Sequence, residues 1–181
     1  SRKESFNQKL VKIAASGASQ QGASLTIINL ADFPMPIFNQ DLEQEQGMPE
    51  SARQLKQLMI EHDGFLIASP EYNSAFTPLL KNTLDWVSRA ESDDEPPLAA
   101  YHGKIAAIMA TSPGPLGGLR GLVFLRMLLA NMGVIVLPDQ RAIPKTFKAF
   151  NDKGLLLDDA QQSSILSLGS QLAISIDKLN R

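Results

Sequence analysis

No cysteine occurs among the 181 residues, which excludes disulfides, thiolate zinc sites, iron–sulfur clusters and thiol nucleophiles. Only two histidines are present, too few to suggest a metal centre or a Ser-His triad. Charge of one sign is also lacking: 17 Lys+Arg against 19 Asp+Glu leave a formal net charge of −2, so neither nucleic acid nor an anionic membrane surface is favoured as a partner. No apolar run approaches the roughly 18 residues of a membrane span. The opening Ser1-Arg2-Lys3-Glu4-Ser5 is not built like a signal peptide. These absences predict a cytoplasmic protein in which any redox chemistry is carried by a cofactor. What is present, 44% hydrophobic and 20% charged residues, suits one α/β or α+β domain over residues 1–181 with no internal repeat.

Phe6, Leu10, Ile13 and Ala14 recur at helical spacing between Ser5, an N-cap residue type, and Gly17, a stop, so a helix is predicted over 5–17. A short β-rich run follows at 24–30, and 31–49, with Pro34, Pro36, Gly47 and Pro49, reads as a long loop. Ala52, Leu55, Leu58, Met59 and His62 share a helical face that leads into a continuous apolar strand at 64–69. Thr77-Pro78 caps the next helix, lined by Leu79, Leu80, Thr83, Leu84 and Val87. The acidic, proline-bearing 90–103 reads as a solvated surface loop before a strand at 105–110. A helix at 119–132, a strand at 134–137 and a last helix carrying Ile165, Leu168, Leu172, Ile176 and Leu179 complete the chain.

This alternation predicts right-handed crossovers and a three-layer α/β/α sandwich on a parallel sheet. Four strands are predicted, yet the chain opens on a helix with no strand before it. The pattern matches a flavodoxin-like order 2-1-3-4-5 seen from its second element, with the central first strand apparently absent and an N-terminal extension of roughly five to ten residues expected.

Three segments fall at the carboxyl ends of the strands, where open parallel sheets bind ligands. In Ser1-Arg2-Lys3-Glu4-Ser5-Phe6-Asn7, hydroxyls, an amide and a guanidinium gather at a helix N-terminus, an outline that fits either a phosphate site or ordinary capping by Ser5. Ser69-Pro70-Glu71-Tyr72-Asn73-Ser74 combines an aromatic surface with hydrogen-bonding groups, suited to a flat heteroaromatic ring or simply to a turn. Thr111-Ser112-Pro113-Gly114-Pro115-Leu116-Gly117-Gly118 permits close backbone approach without matching a Rossmann or Walker fingerprint.

Taken together, Ser1-Arg2-x-x-Ser5-Phe6-Asn7 and Pro70-Glu71-Tyr72-Asn73 leading into Leu80-Lys81-Asn82-Thr83-Leu84-Asp85-Trp86 resemble the NADPH-dependent FMN reductase family, which includes quinone, chromate and azo reductases. The resemblance implies that Ser1, Arg2, Ser5 and Asn7 hold the FMN phosphate. It places Pro70, Glu71, Tyr72 and Asn73 along the isoalloxazine ring, with Ser112 and Gly114 at its polar edge. It further implies NAD(P)H as co-substrate, ping-pong transfer to quinones, chromate or azo compounds, and a homodimer or homotetramer. No side chain need act as acid or base, since the flavin carries the chemistry. A lone Glu71 in a turn reads as solvated or helix-capping. Trp86 and Tyr101 read as packing residues, His62 as a partner of carbonyls at its helix end, and Arg120, Arg126 and Arg141 as solvated or ion-paired, or as contacts for a nicotinamide-nucleotide phosphate. The rival to an enzyme is a flavodoxin-like electron carrier or a flavin-dependent regulatory module.

On the surface, the 119–132 helix carries Leu122, Val123, Phe124, Leu125, Met127, Leu128, Leu129 and Met132, more apolar circumference than one sheet-facing stripe requires. Self-association through this helix or through 79–87 is therefore expected.

Overall fold

The computed structural model describes residues 4–180. Three parallel strands, β1 (Gly64–Ala68), β2 (Ile105–Thr111) and β3 (Ile135–Ile143), pair in the order β1-β2-β3. The helices are α1 (Phe6–Ser19), α2 (Gln40–Gln46), α3 (Glu50–Glu61), α4 (Pro78–Val87), α5 (Leu119–Asn131), the short α6 (Thr146–Ala149) and α7 (Asp159–Leu179). Strand β2 shows why two layers form: its side chains alternate, Ile105, Ala107 and Met109 entering one core and Ala106, Ile108 and Ala110 the other. The first core is closed by Leu10 and Ile13 of α1 with Ile165, Leu168 and Leu172 of α7; the second by α3, α4 and α5 through Leu55, Leu84, Leu122, Leu125 and Leu129. The α/β/α sandwich is as expected. Among the described residues no helix is long and apolar enough to cross a membrane.

Helix α1 begins as predicted, with Ser5 Oγ accepting from the Gln8 N–H at 3.4 Å, but it runs past Gly17 to Ser19. Gly17 is a contact residue, not a stop. A Cβ there would lie 1.9 Å from the Leu166 carbonyl oxygen of α7, and one on Gly169 would lie 1.8 Å from that of Ala14. The two helices touch backbone to backbone, and the Ser170 hydroxyl donates to the Gly17 carbonyl at 2.9 Å.

The strand expected at 24–30 does not form. Residues 23–29 run without ladder pairing, a 3-10 turn follows at Leu30–Asp32, and Leu25, Ile27 and Ile28 stay exposed. A strand exists only through its hydrogen-bonding neighbour, and between this segment and β1 lies instead a groove of about 1270 Å³. At the other edge, β3 is longer than expected and passes through Pro138, which an edge strand tolerates because one side of its backbone has no ladder partner.

The long 31–49 loop is not loose. Trp86 Nε1 and Asn82 Nδ2, one turn apart on α4, both donate to the Pro36 carbonyl at 2.7 and 2.9 Å, and Asn82 Oδ1 accepts from the Phe38 N–H at 2.8 Å. The acidic 90–103 segment also departs from a purely solvated loop. Glu95 turns inward to pair with Lys56, which is buried and donates as well to the Arg89 carbonyl at 2.7 Å. Its neighbour Tyr101 is fully buried and donates to the Leu84 carbonyl at 2.8 Å, so its packing role includes one hydrogen bond. His62 caps α3 as expected, its Nδ1 2.7 Å from the Leu58 carbonyl oxygen and its Nε2 2.8 Å from the Thr26 hydroxyl.

Candidate functional site

The amino end of α1 meets the carboxyl ends of β1 and β2, the end of the sheet at which open α/β folds bind ligands. Asn7 joins them. Its buried carboxamide donates from Nδ2 to the Thr111 carbonyl and accepts at Oδ1 from the Thr111 N–H, both at 3.0 Å. The side chain thus imitates a peptide group beside the last residue of β2. Thr111 is held in turn, its Oγ1 donating to the Ile143 carbonyl at 2.8 Å and lying 2.7 Å from Thr146 Oγ1. Asn7, expected as a phosphate contact, is therefore committed to the backbone through both amide atoms, with one Nδ2 hydrogen left over.

The loop after β1 opens with Ser69, whose N–H prolongs the ladder to the Met109 carbonyl at 3.1 Å. Tyr72 and Ala75 then exchange backbone hydrogen bonds of 2.8 and 3.0 Å around Asn73 and Ser74, which hold φ of 51° and 71°. Two consecutive left-handed residues make a tight primed turn, a geometry that favours Asn-Gly, so Ser74 sits there under strain. The turn carries Tyr72 outward, 57% exposed. Among the described residues, the side chains of Tyr72, Asn73, Ser74 and Ser112 make no hydrogen bond.

Glu71 faces the other way. Its Oε1 accepts from Arg120 Nε at 2.9 Å and Nη2 at 2.5 Å, and its Oε2 from the Gly121 N–H at 3.2 Å, in the first turn of α5. Burial pushes this carboxyl up, but the bonds from Arg120 and Gly121 outweigh it and hold it below the usual carboxylate range. Glu71 is a helix cap supplied from another element, as one reading of its turn allowed. Arg120 is accordingly ion-paired, and Arg126, which donates to the Val136 and Pro138 carbonyls and to Gln140, is engaged with β3. Arg141 pairs with Asp139 at 3.3 Å.

The third loop, 112–118, is tied to the end of β3: the Ser112 N–H donates to Ile143 and its carbonyl accepts from the Thr146 N–H, at 3.3 and 3.2 Å. Gly117, at φ 63°, lies so close that a Cβ would come within 2.6 Å of the Ile143 carbonyl carbon, whereas at Gly114 a Cβ would meet nothing nearer than Ser112 Oγ at 3.8 Å. The loop is packed at its base and open at Gly114.

Of the residues singled out from the sequence, Ser5, Asn7, Pro70 and Tyr72 line the large groove together. Asn73 shares the Tyr72 turn and Ser112 follows Thr111, but these two, Glu71 and Gly114 are not part of its wall. Ser1 and Arg2 lie outside the described residues. Thr146, the bonding role of Thr111 and the partner of Arg120 escaped the sequence reading. The Asn7–Thr111 pair is 104 residues apart and has no local signal.

A helix N-terminus, a strained turn bearing an aromatic side chain and a glycine-containing loop suit a phosphorylated ligand with a flat ring. The comparisons agree. The sequence model described as NADPH-dependent FMN reductase matches residues 1–148. The chain belongs to the NADPH-dependent FMN reductase family. It is 33% identical over 136 residues to a 2-hydroxy-1,4-benzoquinone reductase of a Burkholderia species, covering 75% of this chain and 69% of that one. It is 31% identical over 159 residues to a quinone reductase of Pseudomonas putida, covering 84% and 81%. Among solved structures, the flavoenzyme NAD(P)H:(acceptor) oxidoreductase FerB of Paracoccus denitrificans superimposes with a TM-score of 0.81 at 27% identity, over 98% of this chain and 93% of FerB. An archaeal flavodoxin, at 13% identity and a TM-score of 0.59 over 96% and 92%, shows the shared fold. This FMN reductase family member is an oxidoreductase, with FMN as its cofactor and NAD(P)H as co-substrate.

Proposed function

We propose that this reductase, acting as one flavodoxin-like domain, carries electrons from NAD(P)H to quinones in a ping-pong cycle, with chromate and azo compounds as further acceptors. Bound FMN supplies the hydride-accepting and electron-passing chemistry. The protein binds and orients. Ser5 and the α1 N-terminus, with Ser1, Arg2 and the remaining Asn7 hydrogen, take the phosphate through charge-assisted hydrogen bonds and the helix dipole. Pro70, Tyr72 and Asn73 border the ring, Glu71 holds their turn, and Ser112 and Gly114 face the polar edge.

The observation that carries this reading is the Asn7–Thr111 tie, which holds the start of α1 at the carboxyl end of β2, beside the 112–118 loop. The relatives named quinone reductases favour a quinone as acceptor. Self-association into a homodimer or homotetramer is supported by Leu119, Val123, Phe124 and Met127 of α5 and Leu79 of α4, all exposed large apolar side chains.

The test pairs flavin titration with steady-state kinetics. FMN should bind far more tightly than riboflavin, because the phosphate end supplies much of the affinity. NADPH oxidation against a quinone should give parallel double-reciprocal lines. Equal dissociation constants for the two flavins would refute the phosphate assignment, and intersecting lines would refute ping-pong transfer.

A further inference from the structure

We infer that Glu71 is a positioning residue that latches the ring-side turn to the start of α5 and so sets where the flavin ring rests. The inference depends on the cofactor reading above. Glu71 sits between Pro70 and Tyr72, yet its carboxylate leaves their loop and takes three hydrogen bonds from Arg120 and Gly121. Its side chain is only 8% exposed, while that of Arg120 is 57% exposed.

The residues around it are small where it passes. A Cβ on Gly118 would lie 3.7 Å from the Glu71 Cβ and 2.7 Å from that of Ala110. A Cβ on Gly121 would lie 3.5 Å from the Glu71 Cβ and 3.3 Å from the Ala75 carbonyl oxygen. Gly121 therefore packs against both limbs of the turn that displays Tyr72. Helix α5 has no side-chain cap of its own, since Gly118 occupies its N-cap position at φ 96°. Glu71 supplies that cap, and the helix end in turn fixes Glu71.

Asn73 and Ser74 need such a fixture. Non-glycine residues keep left-handed backbone angles only where the surroundings over-determine them, and here the surroundings are the Tyr72–Ala75 bridge on one side and the Glu71 latch on the other. Without the latch the bridge alone holds the turn, and Tyr72 and Asn73 lose their fixed positions. The phosphate end is anchored separately, through Asn7 and Thr111. Loss of the latch should therefore weaken recognition of the ring and leave recognition of the phosphate intact.

The experiment uses FMN and riboflavin as probes on the wild type and on Glu71→Ala, Glu71→Gln and Arg120→Ala. It reads dissociation constants by flavin fluorescence, visible circular dichroism of the bound flavin, and the unfolding midpoint. Glu71→Ala should raise both dissociation constants by a common factor of about ten, the scale of one charge-assisted hydrogen bond, and change the visible dichroism. The FMN-to-riboflavin ratio should not move. Glu71→Gln keeps an acceptor for Gly121 and should recover part of the loss. Arg120→Ala should lie between wild type and Glu71→Ala, and it decides the matter if Glu71→Ala does not fold. Unchanged constants and dichroism with a lowered midpoint would overturn the latch and leave a plain helix cap. A loss confined to FMN would overturn it too, by placing the effect at the phosphate. A wild type that binds neither flavin refutes the cofactor reading and the latch with it, whereas tight wild-type binding with unaltered variants refutes the latch alone.

Discussion

Replacing Asn7 by alanine tests the junction on which the site depends. The carboxamide makes two 3.0 Å hydrogen bonds to the Thr111 backbone, and Thr111 is 2% exposed. Alanine would leave a buried N–H and a buried carbonyl without partners, at about 1–3 kcal/mol each. Water entering from the adjoining groove, whose wall includes Asn7, offsets part of this, so we expect about 3 kcal/mol in all. For a chain of 181 residues that corresponds to a fall in Tm of about 6–12 °C. Urea unfolding followed by far-UV circular dichroism should show a lower midpoint at unchanged slope, because the surface exposed on unfolding is the same. FMN affinity, measured well below the transition, should fall as well, since the start of α1 is no longer held at the end of β2. A stability change below about 0.5 kcal/mol, the scale of an ordinary surface substitution, would refute the reasoning. If affinity fell at full stability, Asn7 would act through the ligand alone and not as a tie.

Three further outcomes are expected. Burial pushes the Glu95 carboxyl up, but its bonds to Lys56 and the Glu91 N–H hold it below its ordinary value of 4.5; its contribution is then complete above that value and lost as pH falls through the depressed one. Glu95→Gln should accordingly lower stability at neutral pH and flatten the acid limb of the stability curve, and an acid limb as steep as that of the wild type would count against the pair. Trp86→Phe keeps the edge-on contact with Phe38 but loses the 2.7 Å bond to Pro36, which should cost about 1 kcal/mol and speed proteolysis within 31–49; unchanged cleavage would show that Asn82 alone holds the loop. Phe124→Glu, at an exposed position of α5, should leave the fold intact and reduce the mass seen by light scattering to that of a monomer, and a wild type that is already monomeric would remove the interface.

What could be read from the sequence was periodic, and what could not was relational. The buried faces of α1 and α4 follow from a spacing near 3.6 residues, and the burial of β2 on both sides from its continuous apolar run. Gly17 looked like a stop because glycine usually ends helices, and only the α7 backbone 1.9 Å from its absent Cβ explains why it lies inside one. Residues 24–30 have strand composition, but strand formation depends on a neighbour that composition cannot supply. Glu95 was hidden in the same way: an acidic run reads as solvated until the buried Lys56 beside it is known.

The Pro70-Glu71-Tyr72-Asn73 motif shows how a correct pattern can still mislead about a single residue. A motif marks residues that must keep their identity together, and it is natural to give all of them the same ligand. Yet these residues lie past the end of β1 at Ala68, where no ladder sets the direction of successive side chains. Pro70 and Tyr72 line the groove, and Glu71, between them, does not. It meets Arg120 and Gly121 instead, 49 and 50 residues along the chain. The identity of its partner was not visible, because nothing in the spacing of Arg120 marks it as the cation beneath a turn so far away. Within one short motif, some residues can thus present a surface to the ligand while another holds that surface in place, and for Glu71 it is the hydrogen bonds to Arg120 and Gly121 that tell them apart.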